Sequence, residues 1–421
     1  MAKRRTAPAM RPCAVRCGAF PLIAVLLAAP PVADAQQVRR GASPLDLPRP
    51  GYERRTTRIG PAEVRIDVEV AALYDTNVYA TSTATTGDAA MVARPRVAID
   101  WRGANAELHG EAYADIRRYL DQGRESASRF GAALSGQIAP AAGHVLSGEM
   151  RFDRDIESRA DPEARASILL PPRKINILAG EIGYTLTGTR LGLNLTGGVQ
   201  KLDFLDPNEQ DRDFTSWRGS ARATWRPAAP VAFFAEAYIN RRNFRTAVDL
   251  SGINRDATTY GLIAGVSREV SPRLRGRIGA GVFRFDPDDG ALGGYTGFAL
   301  SGDVTWNPRA RTAVTAQLFR GDVATARAGS SGRTDTRIAL TIDQEAYHNV
   351  LLHGRAGWTQ SRYRGVGADT LNTWSLAAEG EYLVNRTFSL FVGVNYARRT
   401  ARDRLDRFSR AQLQAGIRAR F

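Results

Sequence analysis

Apolar and polar residues alternate along most of the chain with a repeat of two residues. Val64, Ile66, Val68 and Val70 occupy every second position, and charged residues fill the positions between them. Successive side chains of a β-strand point to opposite faces, so this pattern predicts strands with one apolar and one polar face. The pattern recurs as far as the last residue, Phe421.

The alternating pattern divides into eighteen segments, most of them about twelve residues or longer, whereas soluble strands usually have about five or six. The predicted strands are Ala62–Leu73, Met91–Trp101, Asn105–Arg117, Ser126–Ile138, His144–Ile156, Lys174–Leu186, Arg190–Phe204, Phe214–Trp225, Val231–Phe244, Thr258–Val270, Arg273–Phe285, Tyr295–Trp306, Arg311–Asp322, Thr334–Tyr347, Asn349–Tyr363, Thr370–Leu383, Thr387–Arg399 and Leu405–Phe421. We therefore predict an all-β fold, a transmembrane antiparallel up-and-down β-barrel of about 18 strands, with a range of about 16–18.

Short turns alternate with long polar stretches between these segments. Thr187-Gly188-Thr189 and His348-Asn349 are short turns, and the stretches from Glu157 to Pro172 and from Asp206 to Asp213 are long. Outer-membrane barrels have short periplasmic turns and longer extracellular loops. A soluble sandwich has the same alternation along its strands, and a propeller blade has a similar repeat length. The regular rhythm of turns, which is not interrupted by a crossover between sheets, favours the membrane barrel.

The first 35 residues have the features of a secretory signal peptide. Basic residues precede an apolar run from Ala19 to Ala29, and Ala33-Asp34-Ala35 follows as a cleavage site. A run of this length is too short to cross a membrane, which needs about 20 residues. We expect cleavage after Ala35, which would remove both cysteines, Cys13 and Cys17, and leave no disulfide. Residues 36–61 are predicted to be a periplasmic N-terminal extension, and residues 62–421 the barrel.

The chain is basic, with a formal net charge of +15, and only three of its 58 Lys and Arg residues are lysines. A codon bias of the genome is one explanation. Nucleic-acid binding would require a clustered basic stripe or a recognisable module. The arginines are instead spread along the whole chain, so we predict no nucleic-acid partner.

In a barrel of this kind the polar face of each strand lines the lumen. The candidate lumen-lining residues are Glu107, Glu111, Glu149, Asp153, Arg273, Arg275, Arg277, Arg410, Arg418 and Arg420. Opposing charged walls create a transverse field, and an excess of cations favours anions. Barrels of 16–18 strands leave an aqueous channel. We expect a porin-like channel for small anionic solutes or saccharides; the alternative is a structural or accessory barrel, plugged by its own loops, that serves exopolysaccharide export or assembly.

Two segments resemble known outer-membrane proteins. The final amphipathic strand ends on Phe421, which resembles the C-terminal signature that the barrel assembly machinery reads. Residues 72–79, Ala-Leu-Tyr-Asp-Thr-Asn-Val-Tyr, resemble the Y-D-x-N-V-Y/F segment that opens the barrel in a family of outer-membrane β-barrel porins, whose members often accompany exopolysaccharide or capsule genes. Asp75 and Asn77 within it are good turn residues, and a strand-end turn without a chemical role is the favoured interpretation.

The resemblance implies a location in the outer membrane of a Gram-negative cell. The implied partners are outer-membrane lipid, lipopolysaccharide, the barrel assembly machinery and polysaccharide export components. The chain has four histidines and no G-x-S-x-G motif, so we expect no enzymatic activity, no cofactor and no metal. The loop Asp286-Pro287-Asp288-Asp289-Gly290 carries oxygen ligands, but its spacing matches no full calcium loop, and a solvated loop is favoured.

Overall fold

The computed structural model describes residues 43–164, 168–228, 230–246, 248, 252–268, 273–327, 329–365 and 368–421. The predicted signal peptide with its two cysteines, residues 36–42 of the predicted extension and the last two residues of the predicted strand Thr258–Val270 lie outside the described residues. None of the described helices is long and apolar enough to span a membrane.

Nearly all of the described chain is strand. The strands are β1 Thr57–Ile59, β2 Ala62–Asp75, β3 Asp88–Arg102, β4 Ala106–Tyr119, β5 Ala127–Ala141, β6 His144–Ile156, β7 Lys174–Thr187, β8 Leu191–Phe204, β9 Phe214–Ala228, β10 Val231–Phe244, β11 Ala257–Arg268, β12 Leu274–Pro287, β13 Tyr295–Arg309, β14 Thr312–Val323, β15 Ser330–Tyr347, β16 Val350–Gly365, β17 Thr370–Leu383, β18 Phe388–Thr400 and β19 Phe408–Arg420. Short 3-10 helices span Pro44–Asp46, Gly123–Glu125, Pro207–Arg212 and Gly290–Leu292.

Strands β2 to β19 form one closed antiparallel ring. Each strand pairs with the next along the chain, and β19 pairs with β2, while the short β1 adds to β2 through three residue pairs. The last residue completes the closure, because the Phe421 N–H donates to the Ile66 carbonyl at 2.8 Å and the Ile66 N–H donates to the Phe421 carbonyl at 3.0 Å. The predicted fold class, a closed barrel of eighteen strands, is confirmed.

The ring has a short-turn end and a long-loop end. Two residues connect β15 to β16 at the short-turn end, whereas seventeen residues connect β6 to β7 at the long-loop end. Both Ala62 and Arg420, the first and last residues of the ring, lie at the short-turn end. An even number of strands returns the chain to the side on which it started.

Apolar side chains face outward and polar side chains face inward, the reverse of a soluble protein. Ile182 and Leu376 on the outer face are 72% and 57% exposed, whereas Asp335 and Gln414 on the inner face are 0% and 2% exposed. Such an apolar outer band is stable in lipid and would be costly in water. The polar face therefore encloses the candidate site.

Candidate functional site in the barrel lumen

The inner faces of the strands enclose a cavity of about 1530 Å³. Arginines and carboxylate residues line the described cavity in nearly equal numbers. The net charge of the whole chain therefore does not describe its interior, because most of the inner charges lie next to charges of opposite sign.

A ladder of ion pairs follows the wall across β17, β19, β2, β3 and β4. Arg418 contacts Glu379 and Glu69, with N–O distances of 2.6 Å to each. Arg94 contacts the same Glu69 and reaches Asp115 at 2.9 Å. Buried charges are tolerated only when they are paired, and the ladder stiffens this side of the wall while cancelling its charge.

Other lumen charges are not cancelled in this way. Arg218 on β9 lies over the Tyr238 ring, and Arg355 on β16 is exposed to the lumen; neither forms an ion pair with a described residue. Glu149 on β6 and Glu181 on β7 are cross-strand neighbours, so two carboxylates stand side by side. Arg355 and this carboxylate pair thus occupy different sectors of the lumen, whereas Arg218 lies two strands from Glu181 and is attracted by it and by Glu236 on β10.

The carboxylate pair and Arg355 lie on opposite walls. Strand β16 is nine strands from β7 in a ring of eighteen. Arg355 lies five residues from the short-turn end of its strand and Glu181 lies six residues from the same end of β7. A transverse field therefore crosses the lumen at this level, directed from Arg355 toward Glu149 and Glu181.

The loop of residues 157–173 between β6 and β7, here called the crossing loop, reaches the opposite wall. Glu163 Oε1 lies 2.8 Å from Arg333 Nη1 on β15 and accepts a hydrogen bond of 2.9 Å from the Tyr363 hydroxyl on β16. Arg399 on β18 donates to the Ala160 carbonyl. Since β15 lies nine strands from β6 and eight from β7, these contacts carry the loop across the lumen and narrow it.

The pKa values of the two acidic residues at the tip of the crossing loop are shifted in opposite directions. Burial is the main cause that raises the pKa of Asp161 to about 6, with smaller contributions from Glu157 and Glu163. Burial alone would also raise the pKa of Glu163, but attraction to Arg333 and hydrogen bonds from the Ala326 N–H and Tyr363 lower it below its usual value. At neutral pH the tip thus carries a firmly ionised Glu163 next to a carboxyl group that burial disfavours as an anion.

The N-terminal segment narrows the opposite mouth. The Ser43 hydroxyl donates to Asp343 Oδ2 at 2.8 Å, and Arg49 lies 3.6 Å from Glu345, both near the short-turn end of β15. Arg54 lies 3.1 Å from Asp67 on β2. The described part of the segment therefore lies inside the short-turn end of the barrel rather than beside it.

Seven of the ten predicted lumen residues line the cavity. They are Glu111, Glu149, Asp153, Arg277, Arg410, Arg418 and Arg420. Glu107 on β4 and Arg275 on β12 share the inner face with them but lie nearer the short-turn end, and Arg273 is exposed just before β12 begins. Phe421 is 48% exposed on the outer face, where its side chain continues the apolar band.

Sequence reasoning did not identify Glu163, Arg333 or Tyr363. Glu163 lies in a stretch predicted only as a polar loop, and its partner Arg333 is 170 positions away. Arg333 and Asp335 flank Thr334, where the predicted strand begins, and only the structure shows that their charges are buried.

The described residues offer no site for a metal, since no group of three or more His, Cys, Asp and Glu among them is suitably placed. In the acidic loop after β12, Asp288 is held by Arg241 through two contacts of 2.6 and 2.7 Å. His353, which faces the lumen, contacts Asp343 at 2.6 Å.

A family model described as "Putative beta-barrel porin 2" matches residues 49–421. A search of curated proteins found no match. Among solved structures, the copper transporter OprC is 10% identical, with a TM-score of 0.47, and the match covers 88% of this chain and 82% of that one. OpdK from Pseudomonas aeruginosa, solved with vanillate, is 12% identical with a TM-score of 0.43, and the match covers 85% and 99%. The FrpB iron transporter from Neisseria meningitidis (F3-3 variant) is 10% identical, with a TM-score of 0.43. This match covers 80% of this chain but only 62% of that chain.

Proposed function

Because the chain belongs to this family of β-barrel porins, we propose that it is a porin-like channel of the outer membrane that passes small anionic solutes, acidic saccharides among them. The observation that carries the proposal is Arg355, a lumen arginine that forms no ion pair with a described carboxylate; Arg218 also lacks a direct ion pair with a described residue, but Glu236 and Glu181 attract it. Each guanidinium group would attract an anion that has entered the lumen from bulk water.

The geometry makes these charges effective. A cavity with low-dielectric walls focuses the field of the groups that line it, so that a few unneutralised charges set the local concentration of permeating ions. Glu149 and Glu181 face Arg355 from the opposite wall, and Glu181 partly offsets the charge of Arg218, so the expected preference for anions is weak. A sugar carrying a carboxylate could lie along the transverse field with its charge toward Arg355 and its hydroxyls toward the carboxylate pair.

A planar bilayer measurement tests this function. The purified chain is inserted into a neutral lipid bilayer under a salt gradient, and the reversal potential is recorded together with the current. We expect ion conductance with a reversal potential displaced toward that of the anion. Absence of conductance, or selectivity for cations, would show that the proposal is wrong.

A second candidate function is that of an accessory barrel for polysaccharide export or assembly that has no open pore. It is favoured by the crossing loop and the N-terminal segment, which occupy the two ends of the same lumen. Deleting residues 36–60 separates the two functions. A passive channel should keep conducting without them, whereas an accessory barrel that acts through its extension should lose its periplasmic partner, as measured by co-purification.

The proposed setting is the outer membrane of a Gram-negative cell, reached with a cleaved signal peptide. Phe421 would be read by the assembly machinery at the edge of β19, the strand that closes the ring on β2. Mass determination of the mature chain tests the cleavage, which should leave Gln36 as the first residue.

A further inference from the structure

Strands β13 and β14 separate before they reach the long-loop end. The last residue pair between them on that side is Leu300 with Arg320. Beyond this point, within the described part of the chain, residues 295–299 pair with β12 alone and residues 321–323 pair with β15 alone. The ring is therefore closed along most of its height, but it has an open seam near the long loops.

The end of β14 lies inside the neighbouring wall instead of beside it. Asp322 is on the same face of β14 as Leu318, which pairs with the outward, 47% exposed Ile338. Its carboxylate nevertheless accepts hydrogen bonds of 2.9 Å from two inner-face hydroxyls, those of Tyr295 on β13 and Thr259 on β11. An outward side chain of a simple cylinder cannot reach the inner face of the adjacent strands. The two parts of the wall therefore overlap, like the edges of a rolled sheet.

The overlapping part consists of the long-loop ends of β14 and β15, residues 321–324 and 330–333, here called the flap. Ala324 belongs to an apolar cluster with aromatic residues of β8, β9 and β10. Gly332 lies against the Tyr295 ring, where an added Cβ atom would approach a ring carbon to 2.9 Å. The flap thus covers inner-face residues of several neighbouring strands.

A buried ion pair holds the flap in this position. Arg242 on β10 contacts Asp322, and the two side chains are 6% and 1% exposed. A buried charge that loses its partner is strongly destabilising. On the lumen side, Glu163 of the crossing loop contacts Arg333 and accepts a hydrogen bond of 2.9 Å from the Ala326 N–H. The flap is therefore held between the wall and the crossing loop.

The rolled position leaves strand edges without partners. The backbone groups of residues 295–299 that face β14 form no ladder with it in the described chain, and an open strand edge is unfavourable beside lipid. If the existing register continued, Ala299 would pair with Gly321 and Phe298 with Asp322. A second arrangement, with the flap in the wall, would therefore recover backbone pairs that the rolled arrangement lacks.

We propose that the flap is a movable part of the barrel wall. In the structure it is rolled inside the neighbouring strands and, together with the crossing loop, covers the long-loop mouth. In the second position β14 pairs with β13 along its whole length, and the mouth is wider because the wall no longer overlaps. The Arg242–Asp322 pair is the latch of the rolled position. The inference goes beyond the proposed channel function, since it concerns how the mouth opens.

Disulfide formation between Thr296→Cys and Ala324→Cys reports the second position. Continued register would place these residues directly opposite each other on the outer face, within reach of a disulfide. In the rolled position Ala324 lies inside the barrel, whereas Thr296 shares the outer face with Phe298. The pair is introduced into the full mature chain, because residues 36–421 contain no cysteine. The rate of disulfide formation in lipid vesicles is measured by mass spectrometry, and heat-modifiable migration in a gel shows which variants are folded.

Loss of the latch should populate the second position. D322N should speed formation of the disulfide at least about tenfold, because Arg242 would be buried without a charged partner in the rolled position. D288N, which removes a partly exposed ion pair outside the flap, is the matched control and should leave the rate unchanged. Conductance should rise when the cysteine pair is oxidised and return when it is reduced.

G332A tests the flap without changing a charge. Its methyl group would meet the Tyr295 ring in the rolled position, so the disulfide should form at least about three times faster. In G354A on β16 the methyl group meets no atom within 4 Å, and the rate should not change. Equal rates within either matched pair of variants would overturn the proposal, and if D322N does not fold, G332A and G354A decide. Disulfide formation needs no ion flow, so a barrel that does not conduct can still support or contradict the flap.

Discussion

Glu163 on the crossing loop and Arg333 on the far wall form an ion pair of 2.8 Å, with side chains that are 1% and 5% exposed. Neither charge would be stable at this depth without its partner, since burying an isolated ion costs several kcal/mol. The pair therefore holds the crossing loop in the lumen, and it makes the width of the lumen depend on a small number of contacts.

Glu163→Gln should loosen the crossing loop. The amide keeps one hydrogen bond but loses the charge, and docking should weaken by about 1–3 kcal/mol, because Arg333 retains Asp335 at 2.7 Å. We expect larger and noisier single-channel currents and faster proteolysis within residues 157–173. Glu63→Gln, which removes the ion pair with the exposed Arg58 at the short-turn end, away from the crossing loop, is the matched control and should leave both readouts unchanged. Identical currents in the two variants would mean that the loop is not held by Glu163.

Docking of the crossing loop should depend on pH between about 4 and 6. Burial raises the pKa of Asp161 to about 6 from a usual value of 3.8, so the protonated form favours the docked loop. This contribution is complete below the usual pKa and is lost as the pH rises through 6. Arg333, Glu157, Glu163 and Arg399 face Asp161. The guanidinium groups stay charged, and the lowered pKa of Glu163 keeps it ionised in this window.

The conductance should therefore be smaller at pH 5 than at pH 7.5. Asp161→Asn mimics the protonated form and should give the low value at both pH values. A pH dependence that persists in D161N would assign the effect to other groups.

Removing Phe421 should impair closure of the barrel more than changing its side chain. The deletion removes two backbone hydrogen bonds to Ile66, each worth about 0.5–1.5 kcal/mol, as well as an apolar side chain at the lipid boundary. Phe421→Ala removes only the side chain. The folded fraction in a heat-modifiable gel shift should decrease in the order wild type, F421A, deletion, and equal folding of all three would contradict a role for this residue in closure.

Anion selectivity should depend on the uncancelled lumen charges. R218Q/R355Q should move the reversal potential toward zero or toward cation preference, whereas Glu149→Gln should move it the other way by removing an opposing charge. R268Q, which lies on the outer face, should leave the reversal potential unchanged. If none of the lumen variants moves the reversal potential, these residues do not line the permeation path.

The repeat of two residues was sufficient to predict the eighteen-stranded ring, because strand alternation is a local property of the chain. The predicted first and last residues of the strands were less accurate where pairing with a distant strand decides them. Strand β15 begins at Ser330 instead of Thr334 because Ser330 pairs with Gly365, and the last strand begins at Phe408 instead of Leu405.

The same alternation predicted which faces line the lumen, but it could not predict how the charges cancel. Arg418 was identified as a lumen residue, yet its neutralisation by Glu69 depends on a contact between residues 349 positions apart. The position of the crossing loop likewise depends on a distant partner, since Glu163 has no local sequence feature that specifies Arg333. Long-range pairing of this kind carries no periodic pattern within either segment.

Single-channel conductance decides whether the lumen is a permeation path that the crossing loop narrows. The wild-type chain is compared with a chain in which a short glycine-serine linker replaces residues 159–171. We expect wild type to conduct with a weak anion preference and the loop-deleted chain, if the gel shift shows that it is folded, to conduct at least about twice as much, because the constriction in series with the lumen has been removed. A folded loop-deleted chain that conducts no more than wild type, or that does not conduct at all, would contradict this expectation.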